Sequence, residues 1–192
     1  MFVAIPLFTL CATVALPGQT KQTVLHFDAM WWINDAPDTE RDGFLYGYRD
    51  CVQPHGAASG SIVEYRELVT KLLSSGAPSS PRSVTSAIHT AWKTLNAPPP
   101  LVGGEVYDGP HGFLDGSWWG GFAENNRPRE VAESDRGYLE GYLACAAPPV
   151  TEDRVRRLQA AVNTHYATGE HESDFIAVVV HRLVKRETSK KP

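Results

Sequence analysis

The sequence predicts an all-α fold made of two tandem three-helix repeats packed as a pseudo-symmetric helical bundle. Three observations carry this reading. The stretch "GFLYGYRDC" at 43–51 returns ninety-four positions later as "GYLEGYLAC" at 137–145. A second element repeats upstream of each, "FDAMWW" at 27–32 and "LDGSWW" at 114–119, pairing Asp28 with Asp115, Trp31 with Trp118 and Trp32 with Trp119. Within the recurring stretch the apolar residues Phe44, Tyr48 and Cys51 fall at i, i+4 and i+7, the spacing of one helical face, and Tyr138, Tyr142 and Cys145 repeat it. Internal recurrence over such a length marks a fold built from repeated units.

Each element has local chemistry behind it. Asp38, with Glu40 in the first turn, is the expected N-cap of the first helix; Asn126 or Arg127 followed by Pro128 opens its counterpart, proline suiting a first helical position. Ser61 and Glu64 form a capping box before "IVEYRELVTKLLS", and Thr151 with Glu152 and Asp153 opens "RVRRLQAAVNTHYAT". The third helices are expected to start at Ser80–Pro81, before "RSVTSAIHTAWKTL", and after Ser173, before "DFIAVVVHRLVKR". Val84, Ala87, Ile88, Ala91 and Trp92 make one apolar stripe, with Phe175, Val178, Val179 and Leu183 as its partner. The run "IAVVV" is β-branched and also fits a buried strand; its alignment with the clearer helix decides for helix.

These boundaries divide the chain into a signal peptide at 1–20, a first repeat at 21–97, a Pro- and Gly-rich linker at 98–112, a second repeat at 113–186 and a tail at 187–192. The leader "MFVAIPLFTLCATVA" carries no charge and is shorter than the roughly twenty apolar residues of a spanning helix, which favours an export signal over a transmembrane segment. Cys11 follows Leu10, not the small residue a lipid anchor needs. The expected location is therefore periplasmic or secreted. Cys51 and Cys145 then remain as an even pair in an oxidising compartment and are expected to form a disulfide, two separate buried thiols being the alternative.

Each repeat is short enough to be marginal alone, since chains of that length bury only about 60% of their unfolded surface. Gly43 and Gly47, like Gly137 and Gly141, lie four apart on one helical face. A helical glycine costs about 1 kcal/mol against alanine, so two per helix point to close approach by the other repeat's helix or by a Trp indole.

The net charge of −4 provides no cationic surface for nucleic acid. Arg182, Lys185, Arg186, Lys190 and Lys191 gather near the C-terminus and read as a solvated end. The candidate binding residues are Trp31, Trp32, Asp28, Trp118, Trp119 and Asp115, because exposed indoles stack on sugars or anchor proteins. The structural alternative is that one Trp of each pair plugs a core while each Asp caps a turn. No catalytic residue, cofactor or metal is expected: none of the seven histidines stands in a paired metal-binding spacing, and no nucleophile elbow or phosphate-cradling loop occurs. Glu140, which replaces Tyr46 in the alignment, is expected to face solvent, and the surface where the copies differ, Tyr46 against Glu140, Arg49 against Leu143 and Asp50 against Ala144, is where function is expected.

The elements "LDGSWW", "RGYLEGYLAC" and "LQAAVNTHY", with "FDAMWW" and "GFLYGYRDC" as a variant copy in which Ala29 replaces the glycine, resemble a group of small exported bacterial helical proteins of uncharacterised function. More distantly, the helix pattern and paired cysteines are similar to the Rap/Tai immunity proteins of type VI secretion, which are helical, periplasmic and bind a toxin. The resemblance implies a helical fold and an exported location, and it carries no catalytic residues. The function expected is non-catalytic binding of a macromolecular partner, a protein in first place, in an immunity- or inhibitor-like role. The alternative is an envelope carbohydrate-binding module or carbohydrate-acting enzyme using the Trp and Asp pairs.

Overall fold

The computed structural model describes residues 22–52, 61–75, 83–95, 114–121, 128–171 and 173–189. The leader, the linker and the Ser80–Pro81 cap lie outside the described residues. Among those residues the regular secondary structure is all helical, with three isolated β-bridges. A π-helical turn at Trp31–Asp35 precedes α1 (Asp38–Val52), α2 (Ile62–Ser74) and α3 (Val84–Thr94); then come α4 (Gly116–Gly121), α5 (Pro128–Ala146), α6 (Glu152–Tyr166) and α7 (Ile176–Ser189). No helix among the described residues is long and apolar enough to cross a membrane.

The caps explain most of the boundaries. Ser61 Oγ accepts the amide of Glu64 at 3.3 Å while the Glu64 carboxylate accepts the amide of Ser61 at 2.7 Å, the reciprocal box that starts α2. Thr151 Oγ1 accepts the Arg154 amide at 3.4 Å and starts α6. For α3 the cap is Ser83, whose Oγ accepts the Ser86 amide at 3.2 Å, two residues beyond the proline the sequence pointed to. Asp38 is the first helical residue of α1, not its cap. The "IAVVV" run is helical, and α7 continues to Ser189, into the segment expected to be a tail. Its buried stripe is Ile176, Ala177, Val179, Val180 and Val184; Phe175 is exposed and Val178 and Leu183 are half-buried, a rotation of the stripe predicted from pattern alone. The first stripe, Val84, Ala87, Ile88, Ala91 and Trp92, is buried throughout.

The α1–α5 pair is the most extensive contact among the described elements, and its glycines set the approach. A Cβ on Gly43 would stand 2.2 Å from the Ser134 carbonyl oxygen, one on Gly47 1.9 Å from that of Tyr138, one on Gly137 2.1 Å from that of Glu40, and one on Gly141 2.1 Å from that of Phe44. The helices therefore meet backbone to backbone, and the carbonyls face glycine Cα–H groups. Residues 40, 44 and 51 of one helix meet 137, 141 and 145 of the other in rising order, so α1 and α5 run side by side in the same direction. The contacts are reciprocal: the residue met by each glycine of α1 is the aligned counterpart of the residue met by the matching glycine of α5. At the far end Cys51 and Cys145 form a disulfide with 6.2 Å between Cα atoms, inside the range a disulfide spans without distortion.

Two apolar clusters flank this central pair. One gathers Trp32, Phe44, Tyr48, Tyr65, Val69, Ile88 and Trp92 beneath α2 and α3; the other gathers Trp119, Tyr138, Tyr142, Leu158, Val162, Ile176 and Val180 beneath α6 and α7. Residues 23–28 run as an extended strap between them. The Leu25 amide donates to the Val150 carbonyl at 2.9 Å and the Glu152 amide to the Thr23 carbonyl at 3.1 Å, while the Val84 amide donates to the Phe27 carbonyl at 3.0 Å. The strap thus ties the start of α6 to the start of α3.

Two stability measurements follow. Gly47→Ala gains about 1 kcal/mol of helix propensity but forces a methyl into a carbonyl, so chemical denaturation is expected to show a net loss of about 2 kcal/mol or more. Gly169→Ala, with φ of 72° and nothing within 4 Å of its Cβ, is expected to cost only about 1 kcal/mol. Separately, replacing Cys51 and Cys145 with alanine removes a crosslink across 94 residues of sequence and is expected to lower unfolding stability by about 4 kcal/mol in urea titration.

Candidate functional site

Of the repeated Trp and Asp residues, Trp32 and Trp119 are buried, Trp31, Trp118 and Asp115 are half-buried, and Asp28 is exposed. Asp28 Oδ1 accepts the Trp31 amide at 3.0 Å, and the Asp28 carbonyl accepts that of Trp32 at 3.1 Å. Asp115 Oδ1 accepts the Ser117 amide at 3.0 Å and the Ser117 hydroxyl at 2.5 Å, and the hydroxyl above all holds the Asp115 carboxyl below its ordinary range. Each Asp therefore caps the short helical turn that presents a Trp pair. The second Trp of each pair is a core plug with its N–H satisfied: Trp32 Nε1 donates to Thr70 Oγ1 at 2.8 Å and Trp119 Nε1 to Asn163 Oδ1 at 2.7 Å. The first Trp is half-buried against other rings, Trp31 on Phe27 and Phe44 with centroids 4.9 and 5.4 Å away, and Trp118 on Tyr138 and Tyr46 at 5.9 and 6.1 Å.

The six residues are thus not assembled into one site. Asp28 bridges to Ser83, at the start of α3, and Asp115 to Phe175, at the start of α7. Removing the indole of Trp32 or Trp119 would cost about 3–5 kcal/mol, a large part of the 5–15 kcal/mol that holds a domain together.

The positions where the copies differ correct the expectation of a variable surface. Glu140 is 1% exposed and Asp50 is also buried, while Leu143 belongs to the second apolar cluster. Asp50 Oδ2 accepts the buried Tyr138 hydroxyl at 2.9 Å, and its Oδ1 accepts Arg49 Nε at 3.2 Å. Arg136 sits where three carboxylates converge. Its terminal nitrogens take Glu152 in a fork at 2.9 and 2.7 Å, while Nε meets Glu140 at 2.8 Å and Glu40 at 3.5 Å. One guanidinium offsets a single charge. Burial, the largest influence, pushes Glu140 up to about 8 and raises Glu40, whereas Arg136 holds Glu152 low. Burial thus favours the protonated form of Glu140, whose Oε1 meets Arg136 Nε and whose Oε2 is buried without a hydrogen-bond partner. Asp135, also buried, is raised to about 8 by burial. Through Arg136 the cluster links α1, α5 and the start of α6. The four-residue spacing of Arg136 and Glu140 is its only trace in the sequence.

Among the described residues a groove of about 460 Å³ lies open beside the strap, within the usual size of ligand sites. Leu25, Phe27, Ala144, Pro148, Pro149 and Val150 supply its apolar wall, and His26 and Asp28 stand on the strap itself. The strap was invisible in the sequence, where 21–27 has neither helical nor alternating pattern. It forms because the starts of α3 and α6 each leave an unpaired amide that an extended segment can satisfy.

The buried acids set a pH dependence. Because Glu140 and Asp135 have pKa values raised on folding, the folded chain holds more protons than the unfolded chain between their ordinary values near 4–4.5 and about 8. Stability therefore falls as pH rises through that window. Glu152 and Asp115, which are lowered, act in the opposite sense only at more acid pH. Thermal unfolding is expected to show a Tm that declines from about pH 5 to about pH 8, and Glu140→Gln, which keeps the neutral donor and acceptor, is expected to flatten that decline and raise Tm at the alkaline end.

Compared with protein-family models, curated proteins and solved structures, the chain matches none.

Proposed function

We propose that this chain is an exported, non-catalytic binding protein that holds a protein partner along the strap groove, with an immunity- or inhibitor-like role as the specific form of that activity. The observation that carries the reading is the division of labour among its polar and aromatic groups. Trp32 and Trp119 are buried and hydrogen-bonded inside the cores and each Asp caps a helical turn, while an apolar-walled groove edged by extended backbone is open. Grooves of this kind suit a peptide segment that supplies apolar side chains. Val24, exposed on the same edge, extends the apolar surface.

The architecture proposed with it is a tandem duplication, two three-helix units packed about a pseudo-two-fold axis between α1 and α5. Three sets of matched contacts support it: the reciprocal glycine contacts, the paired indole donors to Thr70 and Asn163, and the paired tyrosine–histidine contacts, Tyr48 with His89 at 2.9 Å and Tyr142 with His181 at 3.4 Å. Export is supported by the uncharged leader and by the disulfide. The carbohydrate alternative draws less support, since Trp32 and Trp119 are buried and Trp31 and Trp118 pack against other rings.

The test is affinity capture with the exported protein from its own envelope and secreted fractions, alongside the doubly substituted Val24→Glu, His26→Glu chain. Both positions are exposed, so Tm is expected to change little. One protein recovered in stoichiometric amount, with binding at least about tenfold weaker in the double variant, is the expected result. Retention on envelope glycan in place of protein, or recovery unaffected by the two glutamates, would overturn the reading.

A further inference from the structure

We infer that the turn between α6 and α7 is a binding site for a divalent transition-metal ion of the zinc type, formed by His165, His171 and Asp174. This site is independent of the groove and was not visible in the sequence, because the three residues follow no standard metal-binding spacing. His165 closes α6, while His171 and Asp174 stand in the turn that leads to α7. In the fold one ligand atom from each lies within 4.8 Å of the other two. His165 Nε2 is 2.9 Å from Asp174 Oδ2, and His171 Nδ1 is 3.4 Å from the same oxygen. Donor atoms each about 2.1 Å from a tetrahedral ion stand about 3.4 Å apart, so the cluster has the dimensions of a site that needs only a small opening to admit the ion.

Several features make this a built arrangement and not a chance meeting of surface side chains. The imidazoles stack with centroids 4.5 Å apart and planes 17° from parallel, and the His165 ring rests edge-on against Tyr166 at 5.0 Å. The turn is cross-tied by its own backbone: Tyr166 OH donates to the Asp174 carbonyl at 2.9 Å, the Asp174 amide to the His171 carbonyl at 2.9 Å, and the Gly169 amide to the Tyr166 carbonyl at 3.1 Å. Gly169, with φ of 72°, turns the chain sharply enough to bring His171 back over His165. On the far side, the residue after Asp174 bridges to Asp115, which pins the turn to α4. Held this way, the three donors pay little conformational entropy on binding.

The donor set selects the ion. Two imidazole nitrogens and one carboxylate oxygen favour Zn²⁺, and Cu²⁺ or Ni²⁺ by the same chemistry, over Ca²⁺ or Mg²⁺, which require mostly oxygen ligands. Three protein ligands on a partly exposed turn leave a coordination position for water or for a group from another molecule. The bound ion would crosslink the end of α6 to the start of α7.

The experiment is calorimetric titration of Zn²⁺ into chelator-treated full-length exported protein, repeated with His171→Ala, with Asp174→Asn and with His26→Ala as a control elsewhere on the surface. Expected are one ion per chain with micromolar or tighter affinity, a rise in Tm on adding Zn²⁺ but not Ca²⁺, and affinity at least about tenfold weaker in the first two variants but unchanged in the third. His171 is half exposed and its replacement leaves the core untouched, so loss of binding there is read directly. Absence of a one-to-one isotherm, or affinity unchanged by both His171→Ala and Asp174→Asn, would overturn the assignment.

Discussion

Everything in this molecule hangs on the backbone contact between α1 and α5. Four glycines without side chains let four carbonyl oxygens come within about 2 Å of where a Cβ would be, and no other residue satisfies that geometry. Once the helices are so close, the rest of their faces has little freedom. Phe44 and Tyr138, one residue after Gly43 and Gly137, are turned outward into opposite cores, and the Tyr138 hydroxyl reaches across to Asp50. Cys51 and Cys145 arrive opposite each other at the end of the seam, where oxidation makes the pairing permanent. The glycines forgo about 1 kcal/mol of helix propensity each, and the close packing and crosslink offset that cost.

A seam of bare backbone also dictates where polar groups end up. Glu140, Glu40, Asp50 and Asp135 lie on or beside it, and once water is excluded a carboxylate there needs either a cation or a proton. Asp50 has Arg49 and the Tyr138 hydroxyl. Arg136 supplies one positive charge to Glu152, Glu140 and Glu40, and burial raises the pKa of Glu140 and Glu40. The outer layers are simpler. The Asp-capped turns set Trp32 and Trp119 into the two cores, each indole hydrogen-bonded to a side chain on α2 or α6, and the strap of residues 23–28 joins the starts of α3 and α6 across the seam.

Two places among the described residues offer contact with other molecules, and they differ in kind. The groove beside the strap is apolar and shaped by backbone from both halves. The α6–α7 turn is polar and belongs to one half, and the residues corresponding to it in the other half, between α2 and α3, lack its histidines. If function was acquired by divergence of two similar units, these asymmetric features are where it resides.

Much of the architecture was legible in order along the chain. Helical periodicity, the Ser61–Glu64 box, the Thr151 cap, the four-residue glycine spacing and the pairing of Cys51 with Cys145 are properties of neighbours or of exact recurrence, and they emerge from the letters alone. The alternative in which one Trp of each pair is a core plug and each Asp a cap was also written there, since short polar side chains before a helical turn have few other uses. Burial of Glu140, the path of the strap and the meeting of His165, His171 and Asp174 were not. Each depends on how far apart two backbones stand or how a turn folds back, and those distances are set by packing between segments remote in sequence. A glutamate on a helix reads as solvent-facing until the opposite helix, admitted by glycine, closes over it. The helices and their crosslink were therefore determined by the sequence itself, whereas the environment of their polar groups, and with it the candidate sites, was decided only when tertiary contact removed the water.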